Sequence, residues 1–241
     1  MSREQLVTSF PLAMETLGRQ CVESAGRHWA APVVYVDDTE GWHPDGARLT
    51  SAIPRWPTVR PQLEMENPAA AKPQNYVWRA QTFAVKPFVW LAAALTLQEG
   101  LLVWLDADCI VTRPVPETLV GEVLGRADVA YLGRGPMHPE TGLVVFRVPQ
   151  AIPLLRNGVD CYATGHYRHL SSGWTDCHVL REALLRTGAK AIDLTSARHG
   201  LDWNSSVNAM ALSPFGPYVI HLKGGRAKRA EVTAVDAGIP S

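Results

Sequence analysis

The chain carries no surplus of charge. Its 23 Lys and Arg residues balance 23 Asp and Glu, so no global field draws it toward nucleic acid or an anionic membrane. Lysine is scarce: five of the cationic side chains are Lys and 18 are Arg. Arginine suits bidentate phosphate contacts, but a GC-rich gene produces the same bias, so the count alone assigns nothing. Cysteine is also sparse. The four at positions 21, 109, 161 and 177 have no paired spacing, which fits a reducing compartment better than a disulfide framework. Met1-Ser2-Arg3-Glu4-Gln5 leads straight into an apolar strand, without the apolar core of a signal peptide. No uninterrupted apolar run approaches the ~20 residues that span a bilayer. A cytoplasmic location is expected. Repeats and low-complexity tracts are absent as well. What remains is 241 residues, 46% hydrophobic and 19% charged, enough for one folded domain over residues 1–241.

Periodicity gives the elements. Leu6 to Phe10 reads as a strand and Leu12 to His28 as an amphipathic helix, with Leu12, Leu17, Cys21 and Val22 turned inward. Val33 to Val36 is a second strand. This β-α-β opening implies a parallel sheet with a nucleotide-sized crevice. Residues 39–75 hold six prolines and little periodicity, and are expected to form a long variable loop or a cluster of short helices. Tyr76 to Leu97 reads as a helix, kinked or broken at Pro87. Further strands fall at 128–132, 142–146 and 218–221, and further helices begin near Glu117 and cover 149–157 and 175–186. A basic tail occupies 221–241.

The chemistry concentrates at Leu101-Leu102-Val103-Trp104-Leu105-Asp106-Ala107-Asp108-Cys109. Val103 to Leu105 suits a fully buried strand, and two carboxylates follow where it runs out. In extended backbone, residues two apart point to one side. Open α/β sheets bind their ligands at this carboxyl edge. Two hard oxygen ligands there suit Mg²⁺ or Mn²⁺ carrying a phosphate. The plain alternative is a helix cap followed by a turn aspartate.

Four blocks in chain order resemble a GT-A fold glycosyltransferase of the family-8-like and phage-encoded kind. They are Thr8-Ser9-Phe10, Leu105-Asp106-Ala107-Asp108, the strand after Glu140-Thr141-Gly142, and His221-Leu222-Lys223-Gly224. Asp-x-Asp alone is common; its pairing with a late His-x-x-Gly is far more specific. The resemblance implies an α/β, Rossmann-like, mainly parallel sheet flanked by helices. It implies a metal-dependent transfer of sugar from a UDP- or GDP-linked donor to a hydroxyl, with retention of configuration favoured. Asp106, Asp108 and His221 would hold Mn²⁺ or Mg²⁺. Lys86 and Lys223 would neutralise the donor phosphates, Gly224 would let backbone approach them, and Thr8 and Phe10 would lie beside the base and ribose. Asp176 and Glu140 would stand near the sugar and the acceptor, as base or as binder. If the gene is phage-borne, the location becomes the host cytoplasm.

Other readings fit less well. A phosphatase of the haloacid-dehalogenase type wants its Asp-x-Asp near the N-terminus and an acidic pair downstream. A sugar nucleotidyltransferase wants a Gly-rich first loop, where this chain has Ser9-Phe10-Pro11-Leu12-Ala13. A silent nucleotide-sugar-binding module would not need all of Asp106, Asp108 and His221. Cys161, His166, His169, Cys177 and His178 do not follow a zinc-ligand spacing. For the acceptor, a saccharide or small-molecule hydroxyl comes first, because the C-terminal segment has no basic, aromatic membrane helix. Hydroxymethylated pyrimidines in DNA come second, with Arg55, Arg60 and Arg79 gripping phosphates and Trp56 or Trp78 stacking on a displaced base.

Overall fold

The computed structural model describes residues 3–37, 45–65, 80–135, 137–195 and 208–222. The fold is mixed α/β. A seven-stranded sheet runs in the order β3-β2-β1-β4-β7-β6-β8. Its strands are β1 (Glu4–Phe10), β2 (Val33–Val36), β3 (Arg48–Leu49), β4 (Gly100–Leu105), β6 (Val129–Leu132), β7 (Glu140–Val148) and β8 (Ala191–Asp193). All neighbours pair in parallel except β7, which is antiparallel to both β4 and β6. The expected mainly parallel sheet flanked by helices is therefore the fold observed. A separate two-stranded ladder joins β5 (Cys109–Val111) to β9 (Val219–His221).

Helices cover both faces. On one side, α2 (Trp56–Met65), α3 (Ala80–Leu97), α5 (Ile152–Ala163) and α6 (Asp176–Thr187) pack over Leu102, Trp104, Val144 and Phe146. On the other, α1 (Glu15–His28), α4 (Leu119–Leu124), α7 (Ala209–Leu212) and the small ladder cover Leu101, Val103, Leu105, Leu143 and Val145. Every residue of β4 is buried, as expected for a central strand covered on both faces. On the first face Trp90 meets Trp104 edge-on and Phe146 at a tilt, contacts worth about 0.5–1.5 kcal/mol each beyond their buried area.

Several expectations need correction. The first helix starts at Glu15, after a 3-10 turn over Leu12–Met14. That turn shifts the phase, so Leu12 is exposed and the buried stripe is Gly18, Cys21 and Ala25. Gly18 is needed there, because a Cβ would lie 2.5 Å from the ring of Phe10. Of the two expectations for 39–75, the described residues follow the cluster of short helices. The region contains β3, a 3-10 turn at Thr50–Ala52 and α2, whose Trp56, Val59 and Leu63 are buried at helical spacing. Pro87 does not break its helix: α3 runs continuously from Ala80 to Leu97, with Pro87 buried against the backbone of Gly158 on α5. That same helix is long and apolar enough to cross a membrane, at 18 residues and mean hydropathy 1.3. Here it serves as a core helix, with Ala84, Phe88, Val89, Trp90, Ala93 and Ala94 all buried. The fifth helix begins at Ile152 and extends to Ala163, later and longer than expected.

Candidate active site

The site forms where β4 ends. Asp106 and Asp108 do not converge by strand alternation. Ala107 and Asp108 form a turn, closed by the Cys109 N–H donating to the Asp106 carbonyl at 3.0 Å. Asp106 alone continues the alternation of β4 and follows Trp104 onto the α3 face. There Trp104 Nε1 donates to Asp106 Oδ1 at 2.7 Å, and Lys86 Nζ lies 2.7 Å from the same oxygen.

Lys86 is a node. Its Nζ also lies 2.8 Å from Asp176 Oδ2 and donates to Thr141 Oγ1 at 3.3 Å, and it stands 5.8 Å from the centre of the Trp104 ring. Thr141 Oγ1 in turn donates to Asp176 Oδ2. Burial disfavours the Lys86 charge, but Asp106 and Asp176 outweigh it and hold the amine well above its usual range. Burial pushes the Asp106 carboxyl up, against the pull of Lys86. Lys86 is thus already shared between two carboxylates, and Asp176, 1% exposed, is locked beneath it.

The second half of the site is assembled by the small ladder. Pairing of β5 with β9 sets Cys109 opposite His221, and the Leu222 N–H donates to the Asp108 carbonyl at 2.8 Å. His221 Nε2 then lies 3.2 Å from Asp108 Oδ1, although 113 residues separate the two in sequence. The other ring nitrogen, Nδ1, lies 2.7 Å from Glu140 Oε1. That contact is off the hydrogen-bond axis and is an ion pair in geometry. Burial opposes a charge on His221, yet the contacts with Asp108 and Glu140 prevail and lift it to about 9.

A donor set for a cation can be tested here. Among the described residues, one cluster of three brings its ligand atoms within 4.8 Å of one another: Asp108, Cys109 and His221. The Cys109 thiol is fully buried and donates to the Gly142 carbonyl at 3.7 Å, and burial with the neighbouring Asp108 and Asp106 raises it well above its usual range. One carboxylate and one imidazole remain, with the Asp106 carboxylate one turn away. Carboxylate oxygens with one imidazole can hold a divalent cation such as Mn²⁺ or Mg²⁺. The other cysteines are equally inert: all four are free, and Cys21, Cys161 and Cys177 are pushed up to about 12, chiefly by burial.

A cleft of 280 Å³ opens beside these groups, lined on one side by Ser9, Phe10 and Pro11 and on the other by Lys86 and the Asp106-Ala107-Asp108 turn. Asp37, paired with Arg60 at 2.6 Å, closes a corner. Larger hollows of 490 and 630 Å³ lie at the β2–β3 edge and at the opposite end of β4, but neither is lined by the Asp106–Asp108 turn.

The expected site residues that are described fall as follows. Phe10, Lys86, Asp106 and Asp108 line the cleft. Thr8 is fully buried two residues short of the strand end and does not line it. Glu140 and Asp176 are also buried and stand behind the lining, turned toward His221 and Lys86. Lys223 and Gly224 lie outside the described residues, as do Trp78 and Arg79. Of the residues read as a nucleic-acid grip, Arg55 pairs with Asp160 at 2.6 Å, Arg60 pairs with Asp37 and Glu64, and Trp56 is buried with its ring on Phe88. The Cys/His group disperses. Cys161 is in the core, His166 pairs with Glu182, and His178 packs on His138. Trp104 and Thr141 were missed; the only signal for Trp104 was its place two residues before Asp106.

No family model matches the chain, and no curated protein matches it in sequence. Among solved structures, it resembles a glycosyltransferase involved in the glycosylation of the major capsid of PBCV-1, at 11% identity and a TM-score of 0.49, over 97% of this chain and 98% of that one. It also resembles mouse xyloside xylosyltransferase 1 in its apo form, at 10% identity and a TM-score of 0.44, over 80% of this chain and 85% of the other. At this distance no residue role passes from either protein to this one.

Proposed function

We propose that this chain is a metal-dependent glycosyltransferase that moves a sugar from a nucleoside-diphosphate sugar, UDP- or GDP-linked, to a hydroxyl acceptor. The observation that carries the reading is the pairing of Asp108 with His221 at the lip of a cleft in the carboxyl edge of the sheet. The cleft presents the carboxylates of Asp37, Asp106 and Asp108 against Lys86 and the Arg60 partner of Asp37. A diphosphate placed among those carboxylates needs a divalent cation between.

Asp108 and His221 would hold that cation, with Asp106 beside them. Bound there, Mn²⁺ or Mg²⁺ supplies Lewis-acid stabilisation of the departing diphosphate. Lys86 keeps Asp106 and Asp176 in register and adds positive charge at the cleft wall. Phe10 offers an apolar surface for the nucleoside. Neither Glu140 nor Asp176 reaches the cleft as an unencumbered base, which agrees with retention, where a phosphate oxygen of the leaving group takes the acceptor proton. A saccharide or small-molecule hydroxyl is the acceptor we favour over DNA, given the pairing of Arg55 and Arg60 and the burial of Trp56.

The test is release of nucleoside diphosphate from UDP-, GDP- and dTDP-sugars, with and without Mn²⁺. Turnover is expected to require the metal, and Asp108→Ala is expected to abolish it while leaving the thermal unfolding profile in place. Metal-independent turnover, or full activity in Asp108→Ala, overturns the reading. Parallel incubation with free sugars and hydroxymethylated DNA identifies the acceptor.

A further inference from the structure

The first three residues of β7 serve two sides of the site at once. Thr141 contacts Lys86 and Asp176, while its neighbours Glu140 and Gly142 both face His221. A Cβ on Gly142 would lie 2.7 Å from Cε1 and 2.8 Å from Nδ1 of the imidazole, so the glycine leaves the room the ring occupies. Glu140 is 5% exposed and meets Nδ1 at 2.7 Å, while Nε2 on the far side of the same ring is 3.2 Å from Asp108. The imidazole is therefore held between two carboxylates, one behind it and one at the cleft.

We infer that Glu140 is a positioning residue: it holds the Nδ1–H of His221, so that Nε2 is the nitrogen presented beside Asp108 to a divalent cation. The inference rests on the metal-dependent reading above and adds to it the group that orients the imidazole. Histidines that bind metals commonly donate their other N–H to a carboxylate, and losing that partner costs roughly 10–100-fold in metal affinity. A role for Glu140 as acceptor base or sugar contact fits less well, because its carboxylate is buried and stands behind the ring. Engagement of Nε2 is expected to turn the ring slightly and bring Nδ1–H into line with Glu140 Oε1.

The experiment is Mn²⁺ titration of the full chain by calorimetry, for the wild type, Glu140→Ala, Glu140→Gln and Asp108→Asn. Glu140→Ala is expected to weaken binding about 10–100-fold, and Glu140→Gln, whose amide oxygen still accepts, to recover most of it. Asp108→Asn is expected to lose binding. Wild-type affinity in Glu140→Ala beside lost binding in Asp108→Asn overturns the positioning role alone. Wild-type affinity in Asp108→Asn, or no binding by the wild type, overturns the metal reading itself. A second measurement needs no change at Glu140: ¹H–¹⁵N imidazole spectra of the wild type with Mg²⁺, with His221 assigned through His221→Gln. The proton is expected on Nδ1, and a proton on Nε2 instead overturns the inference.

Discussion

Replacing Lys86 by Met deletes the ammonium that pairs with both Asp106 and Asp176. The methionine fills similar volume, so the loss is electrostatic rather than a cavity. Breaking a buried ion pair by removing one partner costs about 3–5 kcal/mol. Partial exposure of Asp106 sets the value here near the low end. Asp106 keeps the Trp104 N–H and is 17% exposed at the side chain, so water partly replaces the lost charge. Asp176 keeps Thr141 but is 1% exposed, so its share is borne almost undiminished. A loss of about 3 kcal/mol follows, which for a chain of this length lowers the unfolding temperature by about 6–12 °C. The assay is thermal and urea unfolding followed by circular dichroism. Adding Asp176→Asn to Lys86→Met removes the stranded charge and is expected to return at least about 1 kcal/mol. A single variant within about 1 kcal/mol of wild type, or a double variant less stable than the single, refutes the argument that Lys86 is the common counter-ion.

Other consequences are open to measurement. Gly142→Ala pushes a methyl into the His221 ring and is expected to cost about 1–3 kcal/mol together with Mn²⁺ affinity; unchanged unfolding and unchanged titration would show that the ring yields freely. His138, 4.1 Å from His178 between ring centres, is lowered to about 4 by burial, by His178 and by Arg134. The folded protein therefore resists a proton that the unfolded chain accepts below about 6.5. This contribution to stability is complete above about pH 6.5 and is lost as pH falls toward 4. His138→Phe, which keeps the ring contact, should lose less stability than wild type between about pH 7.5 and pH 5; equal losses would remove His138 from the acid response.

How much of this was written in the sequence depends on the range over which each feature is encoded. Val103-Trp104-Leu105 followed by Asp106 told the central strand, its burial and its ligand edge, because apolar run and carboxylates are contiguous. The α2 helix was hidden, since Pro57 and Pro61 mask the Trp56, Val59, Leu63 spacing that tertiary packing enforces. Strands β5 and β8 have three residues each, too few for a period to register. The closeness of His221 to Asp108 depends on the register of the β5–β9 ladder, which nothing local specifies. Lys86 was legible as a cation near the site, but its two carboxylate partners come from separate segments. Glu140 was legible as a carboxylate near the site and not as the partner of an imidazole, because that contact exists only once both strands are paired.

The reversed strand β7 sets how the site is supplied with residues. In a sheet of parallel strands, each strand delivers its last residues, and the loop that follows it, to the ligand edge. Because β7 runs the other way beside β4, with Leu105 opposite Leu143 and the Asp106 N–H donating to the Gly142 carbonyl at 2.9 Å, it delivers its first residues instead. The connection arriving from β6, which carries Arg134 and His138, therefore enters at this edge before Glu140 is reached. Variation in that incoming segment can reshape the approach to the cleft while the two central strands stay in register. One strand direction thus separates the part of the site that must hold still from the part free to diverge.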